Sequence, residues 1–195
     1  MTKPQHHEIV VIGAGICGAT IANELLTRGK SVCLVDAASS PATACSSHAY
    51  AIAHPHIGKG SPRLLRLTRL AFLLAEARWG LAWRAHGIFQ PTKKGKIFDH
   101  VEVSEHLKNL DLDESIAMPL SADKAKEICG ITQSGVWMPR AASINLFETT
   151  QKLLQDQKQL TCIWNMRITH LENRNEKWFL YGEGQGEIID RKSVV

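Results

Sequence analysis

IVVIGAGICG, residues 9–18, is the stretch that decides the fold of this chain. A β-branched run leads directly into Gly-x-Gly-x-x-Gly, and a helical pattern follows with Gly29 after its last turn. A second apolar run, Val32–Val35, ends in Asp36. Strand, glycine turn, helix, strand and acid follow one another in the order of a dinucleotide-binding βαβ unit.

Each glycine of the turn has its own mechanical role. Gly13 permits the tight turn off the strand, Gly15 lets a pyrophosphate approach the backbone, and Gly18 lets the helix pack closely on the strand. The N–H groups at the start of the helix then face the phosphates. Asp36 can accept a hydrogen bond from a ribose hydroxyl, and an acid at this place favours FAD or NAD over NADP.

Composition sets broad limits on the function. The chain has 195 residues, 44% hydrophobic and 22% charged, which is typical of a globular protein with a domain-sized core. Its five cysteines lack C-x-x-C spacing, so the pattern indicates neither a zinc site nor a disulfide framework and fits a reducing compartment. No stretch is long and apolar enough to span a membrane, so we expect a cytoplasmic protein without a membrane partner.

Two classes of site are not indicated by the sequence. His54 and His56 flank a proline, but no third ligand completes a metal site, so we predict none. No Ser/His/Asp or paired-carboxylate arrangement is visible, and the catalytic residues therefore stay unassigned.

Charge is distributed unevenly along the chain. Nine basic residues and one acid, Glu76, lie between Lys59 and Lys96, whereas Asp99 to Glu127 holds eight acids and three lysines. The basic segment, Lys59 to Lys96, is open to two interpretations, a surface that faces RNA or simply a solvated helix face.

Hydrophobic periodicity predicts alternating strands and helices. Leu67, Leu70 and Leu74 follow helical spacing in the clearest amphipathic segment, with Arg63, Arg66 and Arg69 on another face. We expect strands at 8–12, 31–36, 135–139, 161–164, 167–171, 178–181 and from 187, a strand pair within 88–103, helices at 16–28, 62–85, 104–110, 121–129 and 145–158, and a long loop at 37–62.

The nucleotide pattern resembles that of the D-amino-acid-oxidase-like superfamily of FAD-dependent oxidoreductases. Within it, the chain is most similar to the N-terminal half of the oxidoreductase domain of bifunctional tRNA 5-methylaminomethyl-2-thiouridine biosynthesis proteins. The residues that carry the resemblance are the fingerprint Gly13, Gly15, Gly18, Ala22, Leu25 and Gly29 and the segments Cys45–Pro55, Ser61–Phe72 and Gly135–Pro139.

The resemblance implies an α/β fold with an FAD-binding, Rossmann-like sheet of the glutathione-reductase type and an inserted α+β portion of a substrate domain. The expected division is 1–60 for the first part of the FAD-binding domain, 61–150 for the insertion and the start of the substrate domain, and 151–195 for the return to the FAD-binding domain.

The resemblance also implies which residues bind FAD. The pyrophosphate would be held by Gly13, Ala14, Gly15, Ile16, Cys17 and Gly18. The ribose would meet Asp36 and its neighbour Ala37, and the phosphates or ribityl chain would meet Ser46, Ser47 and His48. Tyr50, Ala51 and Ile52 would run beside the isoalloxazine ring, and Ile168 would contact adenine through its backbone.

This chain departs from the family pattern at several of these places. Ser47 and His48 replace Gly-Asn, and Ala51 replaces a loop glycine near the flavin. Residues Ala141–Ile144 stand where the family has Gly-Gly-Trp-Val. These departures leave the substrate open.

The chemistry that the resemblance implies is oxidation of a secondary amine, with hydride transfer to flavin N5 and hydrolysis of the imine. We expect the substrate to be the carboxymethylaminomethyl group on the wobble uridine of tRNA, with the anticodon stem-loop bound by the basic segment. The alternatives are a free amino-acid oxidase or dehydrogenase acting on glycine, sarcosine or a D-amino acid, or a non-catalytic nucleotide-binding remnant.

The family pattern continues where this chain stops. We therefore expect a missing C-terminal half or a methyltransferase as partner, and weak or absent FAD binding by the 195 residues alone.

Overall fold

The strand β1 (Gln5–Ile12) occupies the middle of a six-stranded sheet with the order β7-β2-β1-β10-β9-β8. The first four strands of that order run parallel, and the last three form an antiparallel meander. The other strands are β2 (Val32–Val35), β7 (Leu160–Ile163), β8 (Ile168–Arg174), β9 (Lys177–Gly182) and β10 (Glu187–Val194).

The computed structural model describes residues 5–58, 60–80, 83–93, 96, 98–183 and 187–195. The chain divides into two compact units, Met1–Ala49 with Leu146–Val195, and Tyr50–Asn145. These divisions fall at 49/50 and 145/146, whereas the sequence-based domain boundaries lie at 60/61 and 150/151.

The core of the first unit lies on both faces of the sheet. All four residues of β2 are buried, as expected for a parallel strand covered on both sides. One face packs Val11 and Leu34 against the helix α1 (Ile16–Thr27). Next to it runs the helix α5 (Leu146–Leu154), whose Leu153 carbonyl accepts a 2.9 Å hydrogen bond from Asn23 Nδ2 on α1.

The second unit is α+β, with an antiparallel sheet ordered β3-β6-β4, and β5 also pairing with β6. Its strands are β3 (Ala51–Ala53), β4 (Trp83–Pro91), β5 (Met118–Leu120) and β6 (Gly135–Ile144). Its helices are α2 (Pro62–Trp79), α3 (His100–Asn109) and α4 (Ala122–Cys129).

Local capping chemistry fixes several helix ends. Ser61 Oγ accepts from Leu64 N at the start of α2, and Asp99 accepts from two N–H groups at the start of α3. Gly130 ends α4 with φ of +76°, a left-handed conformation that suits glycine. The sequence predicted this glycine C-cap, and the prediction is confirmed.

Two sequence-based predictions are wrong in this unit. The helix predicted over 62–85 ends at Trp79, and the chain re-enters a strand at Trp83. The strand pair predicted within 88–103 does not form, because β4 pairs with β6 instead and Asp99 starts a helix. The pairing of β4 with β6 joins residues far apart in sequence, such as Phe89 and Trp137. The hydrophobic pattern of neighbouring residues therefore does not reveal this pairing. Two residues of the predicted turn, Lys94 and Gly95, lie outside the described residues.

Candidate functional site

The glycine turn joins β1 to α1 with the geometry that its spacing predicts. Gly13 has φ of +98°, and its N–H donates to Val35 O at 2.7 Å. A Cβ built on Gly18 would lie 1.8 Å from Gly13 O, so helix and turn are in direct backbone contact there. A side chain at either position is therefore disfavoured, at Gly13 by conformation and at Gly18 by space.

Ser46 contacts the glycine turn where α1 begins. The 3-10 helix Cys45–Ser47 brings its hydroxyl to the start of α1, where Oγ accepts a 2.9 Å hydrogen bond from Ile16 N. A Cβ on Gly15 would lie only 3.1 Å from Ser46 Oγ. Gly15 and Ser46 therefore form a cradle at the positive end of the α1 dipole, of the kind that binds phosphate oxygens.

Asp36 links the end of β2 to the same turn. Its Oδ2 accepts a 2.6 Å hydrogen bond from Ala14 N, and its Oδ1 accepts a 2.8 Å hydrogen bond from Ala38 N. An ionised carboxylate has about four lone-pair sites, so both oxygens keep acceptor capacity for a ribose hydroxyl. Ala14 is fully buried, whereas Ala37 is exposed beside Asp36.

Ser47 and His48 follow the cradle and carry exposed side chains. The His48 carbonyl accepts a 3.2 Å hydrogen bond from Leu146 N at the start of α5. Cys17, the second residue of α1, is exposed as well. The structure thus gathers the predicted residues 13–18, 36–37 and 46–48 around one helix start.

The remaining predicted residues lie elsewhere. Tyr50 and Ile52 belong to the second unit, and their side chains are 75% and 65% exposed. Ala51 pairs with Ile144 of β6. Ile168 begins β8 opposite Gly182, and its side chain packs against the apolar cluster that contains Val10 and Leu180, leaving a backbone role as the prediction.

Sequence reasoning missed one strong pair in the second unit. Arg140 of β6 donates through Nε at 2.9 Å and through Nη2 to the two carboxylate oxygens of Glu76 on α2. The hydrogen bonds from Arg140 lower the pKa of Glu76 below its usual value, and the positive charges of Arg140 and His86 act in the same direction. The single acid within the basic segment drew attention to Glu76, but it did not identify Arg140, which lies 64 residues further along the chain.

FAD fits the first unit on its own geometry. The Gly15 and Ser46 cradle leaves space where a Cβ would intrude, and Asp36 presents acceptors beside it. Among the described residues, no group of three His, Cys, Asp or Glu side chains is placed to hold a metal ion. Within the same residues, no helix combines the length and the apolar character that crossing a membrane requires.

Comparison with known proteins identifies the family. The model of the family described as DAO, FAD dependent oxidoreductase, matches residues 8–195. The bifunctional tRNA 5-methylaminomethyl-2-thiouridine biosynthesis protein MnmC of Ralstonia nicotianae is 28% identical over 98% of this chain. That of Thiobacillus denitrificans is 41% identical over 39% of the chain. The chain spans 30% of the length of the Ralstonia protein and 12% of the Thiobacillus protein.

Solved structures share the fold at low identity. The L-alpha-glycerophosphate oxidase of Mycoplasma pneumoniae, solved with FAD bound, superposes with a TM-score of 0.77 at 14% identity, covering 97% of this chain and 53% of that one. Glycine oxidase from Bacillus cereus gives a TM-score of 0.72 at 16% identity, covering 96% of this chain and 55% of that one.

These findings confirm the predicted fold class, with its FAD-binding sheet and α+β portion, and the predicted cofactor FAD. The residues that bind the cofactor remain predictions supported by the geometry of the turn. The chain belongs to the DAO family of FAD dependent oxidoreductases.

Proposed function

We propose that this chain forms the FAD-binding part of an oxidoreductase that oxidises a secondary amine, the carboxymethylaminomethyl group on the wobble uridine of tRNA. The observation that carries the proposal is the cradle of Gly15 and Ser46 at the start of α1. The choice of substrate is supported by similarity over 98% of the chain to a relative named for the biosynthesis of a modified tRNA nucleoside.

The residues of the cradle have separate tasks in this proposal. Ser46 Oγ accepts from Ile16 N, so its own proton can be donated to a phosphate oxygen. The N–H groups of the first turn of α1 point towards the same place and stabilise negative charge there. Asp36 binds the ribose hydroxyls and, through Ala14, holds the turn in the conformation that receives the phosphates.

FAD, when bound, supplies the electron acceptor for the amine. We assign Tyr50, Ala51 and Ile52 to the surface beside the flavin ring. Pairing of β3 with β6 fixes their backbone, and the exposed Tyr50 and Ile52 side chains are available to contact the ring and exclude water. Ile168 is assigned to adenine through its backbone.

The tRNA part of the proposal rests on charge. Lys93 and Lys96 are exposed between β4 and α3, within the basic segment of the sequence. We assign them to the phosphates of the anticodon stem-loop, where each neutralised phosphate adds affinity that falls with salt.

A tRNA substrate also implies that the protein acts in the cytoplasm. The relatives are bifunctional, and a methyltransferase or the remaining oxidoreductase half is the partner we propose.

Oxidation of a free amino acid is the second candidate. The observation in its favour concerns Arg69, a member of the basic segment. Asp111 binds the Arg69 guanidinium through both its carbonyl and its carboxylate, so the basic segment has one fewer positive charge available to bind RNA. A non-catalytic, nucleotide-binding remnant is the third candidate.

A flavin titration followed by substrate addition separates these candidates. We would add FAD to the purified chain, remove free flavin by desalting, and record the band at about 450 nm. Bleaching of that band by tRNA carrying carboxymethylaminomethyl uridine, but not by glycine or sarcosine, supports the proposal. Bleaching by free amino acids alone overturns the tRNA substrate, and bound flavin that no amine reduces supports the remnant. Loss of FAD on desalting agrees with the weak binding expected of the 195 residues alone, whereas no change in the flavin spectrum even at high FAD concentration contradicts the cofactor site itself.

A further inference from the structure

The helix α2 leaves an apolar stripe uncovered. Leu67, Leu70 and Leu74 are 64%, 53% and 63% exposed, and Leu64 one turn earlier is also exposed. The buried residue of this helix is Phe72, which lies on a different side. The stripe that the sequence marks as the apolar face of an amphipathic helix is therefore presented to solvent, and contiguous exposed apolar patches mark interaction surfaces.

The spacing of the leucines suits another helix. Leu67 and Leu74 are seven residues apart with Leu70 between them, which is the alternation of three and four residues found at a and d positions of helix pairs. At about 1.5 Å per residue, the stripe from Leu64 to Leu74 is about 15 Å long, enough for about three turns of a partner helix.

The charge around the stripe selects the partner. Arg63 and Arg66 are exposed at its N-terminal end. The sequence-based assignment of Arg63 to another face is wrong, because a separation of four residues places it on the same face as Leu67. The only acid of α2 is Glu76, nine residues or about two and a half turns from Leu67, which places it on the opposite face of the helix. Its carboxylate is bound by Arg140. The rim of the stripe is thus cationic.

We propose that the α2 stripe, Leu64, Leu67, Leu70 and Leu74, docks an amphipathic helix of another polypeptide segment that has acidic residues beside its apolar positions. A second copy of α2 would bring its own Arg63 and Arg66 to the interface, and like charges across an interface oppose pairing. A lipid surface fits less well, because Arg63 lies on the apolar face itself and hinders flush insertion. Acidic residues on a partner helix complement Arg63 and Arg66.

Two synthetic peptides test the proposal with the full chain. Both are helices of about three heptads with leucine at the a and d positions. One carries Glu at the positions flanking the leucines, and the other carries Lys there. We expect the acidic peptide to bind about tenfold more tightly than the basic peptide in about 50 mM salt, and the preference to shrink in about 500 mM salt. Fluorescence anisotropy measures both affinities.

Matched variants link that binding to the stripe. Leu67→Gln with Leu74→Gln should abolish binding of the acidic peptide while the circular dichroism spectrum is unchanged. Ile128→Gln, at an apolar position on α4 that is 45% exposed, should leave binding intact. Arg63→Glu with Arg66→Glu should reverse the preference towards the basic peptide.

Several outcomes overturn the proposal. Equal affinity for both peptides, or loss of binding in the Ile128 variant, indicates unspecific apolar adhesion. If sedimentation velocity shows that the unchanged chain is a dimer and the Leu67→Gln, Leu74→Gln variant is a monomer, the stripe binds a second copy. Leucine-dependent binding to vesicles of phosphatidylglycerol, or to tRNA, in place of the acidic peptide assigns it to those partners. None of these outcomes depends on flavin or amine oxidation, so the proposal stands or fails separately from the proposed function.

Discussion

Asp36 Oδ2 lies 2.6 Å from Ala14 N, which joins the end of β2 to the glycine turn across 22 residues of sequence. The carboxylate that is expected to bind ribose therefore also holds the backbone that is expected to bind pyrophosphate. Because one side chain serves both, a change at Asp36 affects the conformation of the turn as well as its ligand.

Asp36→Asn is expected to destabilise the first unit. An amide has one acceptor oxygen, so it cannot accept from both Ala14 N and Ala38 N, and one partly buried N–H loses its partner at a cost of about 1–3 kcal/mol. Urea unfolding measures the change, and a flavin titration should show weaker FAD binding. Asp156→Asn is the control, because Asp156 is exposed with φ of +56°, a conformation that Asn also tolerates. Equal stability of both variants would contradict the role of Asp36.

Gly18→Ala is expected to be far more harmful than Gly80→Ala. The new Cβ would lie 1.8 Å from Gly13 O, a backbone atom that cannot move without opening the turn, whereas a Cβ on Gly80 meets nothing within 4 Å. We expect a loss of more than about 2 kcal/mol in the free energy of unfolding for Gly18→Ala and a change within about 1 kcal/mol for Gly80→Ala. Thermal unfolding followed by circular dichroism is the measurement. A normal melting temperature for Gly18→Ala would show that the helix does not pack on the turn as described.

The pair of Glu76 and Arg140 should make stability depend on pH. Arg140 lowers the pKa of Glu76 from its ordinary 4.5, so the pair stabilises the folded chain above that pH and the stabilisation is lost as pH falls through the lower folded pKa. Both side chains are partly exposed, so we expect Glu76→Gln to cost about 1 kcal/mol at neutral pH. The difference in the free energy of unfolding between this variant and the unchanged chain should vanish at a pH below the folded-state pKa of Glu76. Glu127→Gln, which removes the exposed pair with Lys124, should cost little at any pH. A Glu76→Gln effect that grows in acid would contradict the assigned sign.

Cysteine labelling should report cofactor binding without any activity assay. Cys17 and Cys45 are exposed and flank Ile16 and Ser46, whereas Cys33 is buried and burial raises the pKa of the Cys162 thiol. We expect a thiol reagent to modify Cys17 and Cys45 first, and FAD to slow both reactions if its phosphates occupy the cradle. Mass spectrometry of digested protein identifies the labelled sites. Labelling of Cys129, on α4, should not respond to FAD, and unprotected Cys17 would argue against the cradle as the phosphate site.

The tRNA assignment predicts a salt-dependent affinity that is lowered by Lys93→Glu with Lys96→Glu. For each phosphate that the variant no longer neutralises, the slope of log affinity against log salt should become shallower by about 0.7 for single-stranded RNA. Lys124→Glu with Lys126→Glu on α4 provides a control of equal charge change outside the basic segment. Filter binding of the anticodon stem-loop measures the slopes. Identical slopes for the two double variants would exclude a specific role for Lys93 and Lys96.

Local chemistry made the βαβ unit readable from sequence. Gly13 needs a positive φ, and the apolar run of β2 reflects burial on both faces. Such signals are carried by neighbouring residues, so the βαβ unit followed from them, and the resemblance of the motif and later segments to a known family implied the fold class and FAD.

Only the tertiary structure decided which distant groups meet. The contacts of Asp36 with Ala14, of Ser46 with Ile16 and of Arg140 with Glu76 join residues 22, 30 and 64 positions apart. The pairing of β4 with β6 overrode a local strand-pair pattern, because hydrogen bonding and burial against a distant strand outweigh local preference. The sequence likewise marked the leucine stripe of α2 as apolar, but whether such a stripe is covered depends on what packs against it, which periodicity does not encode.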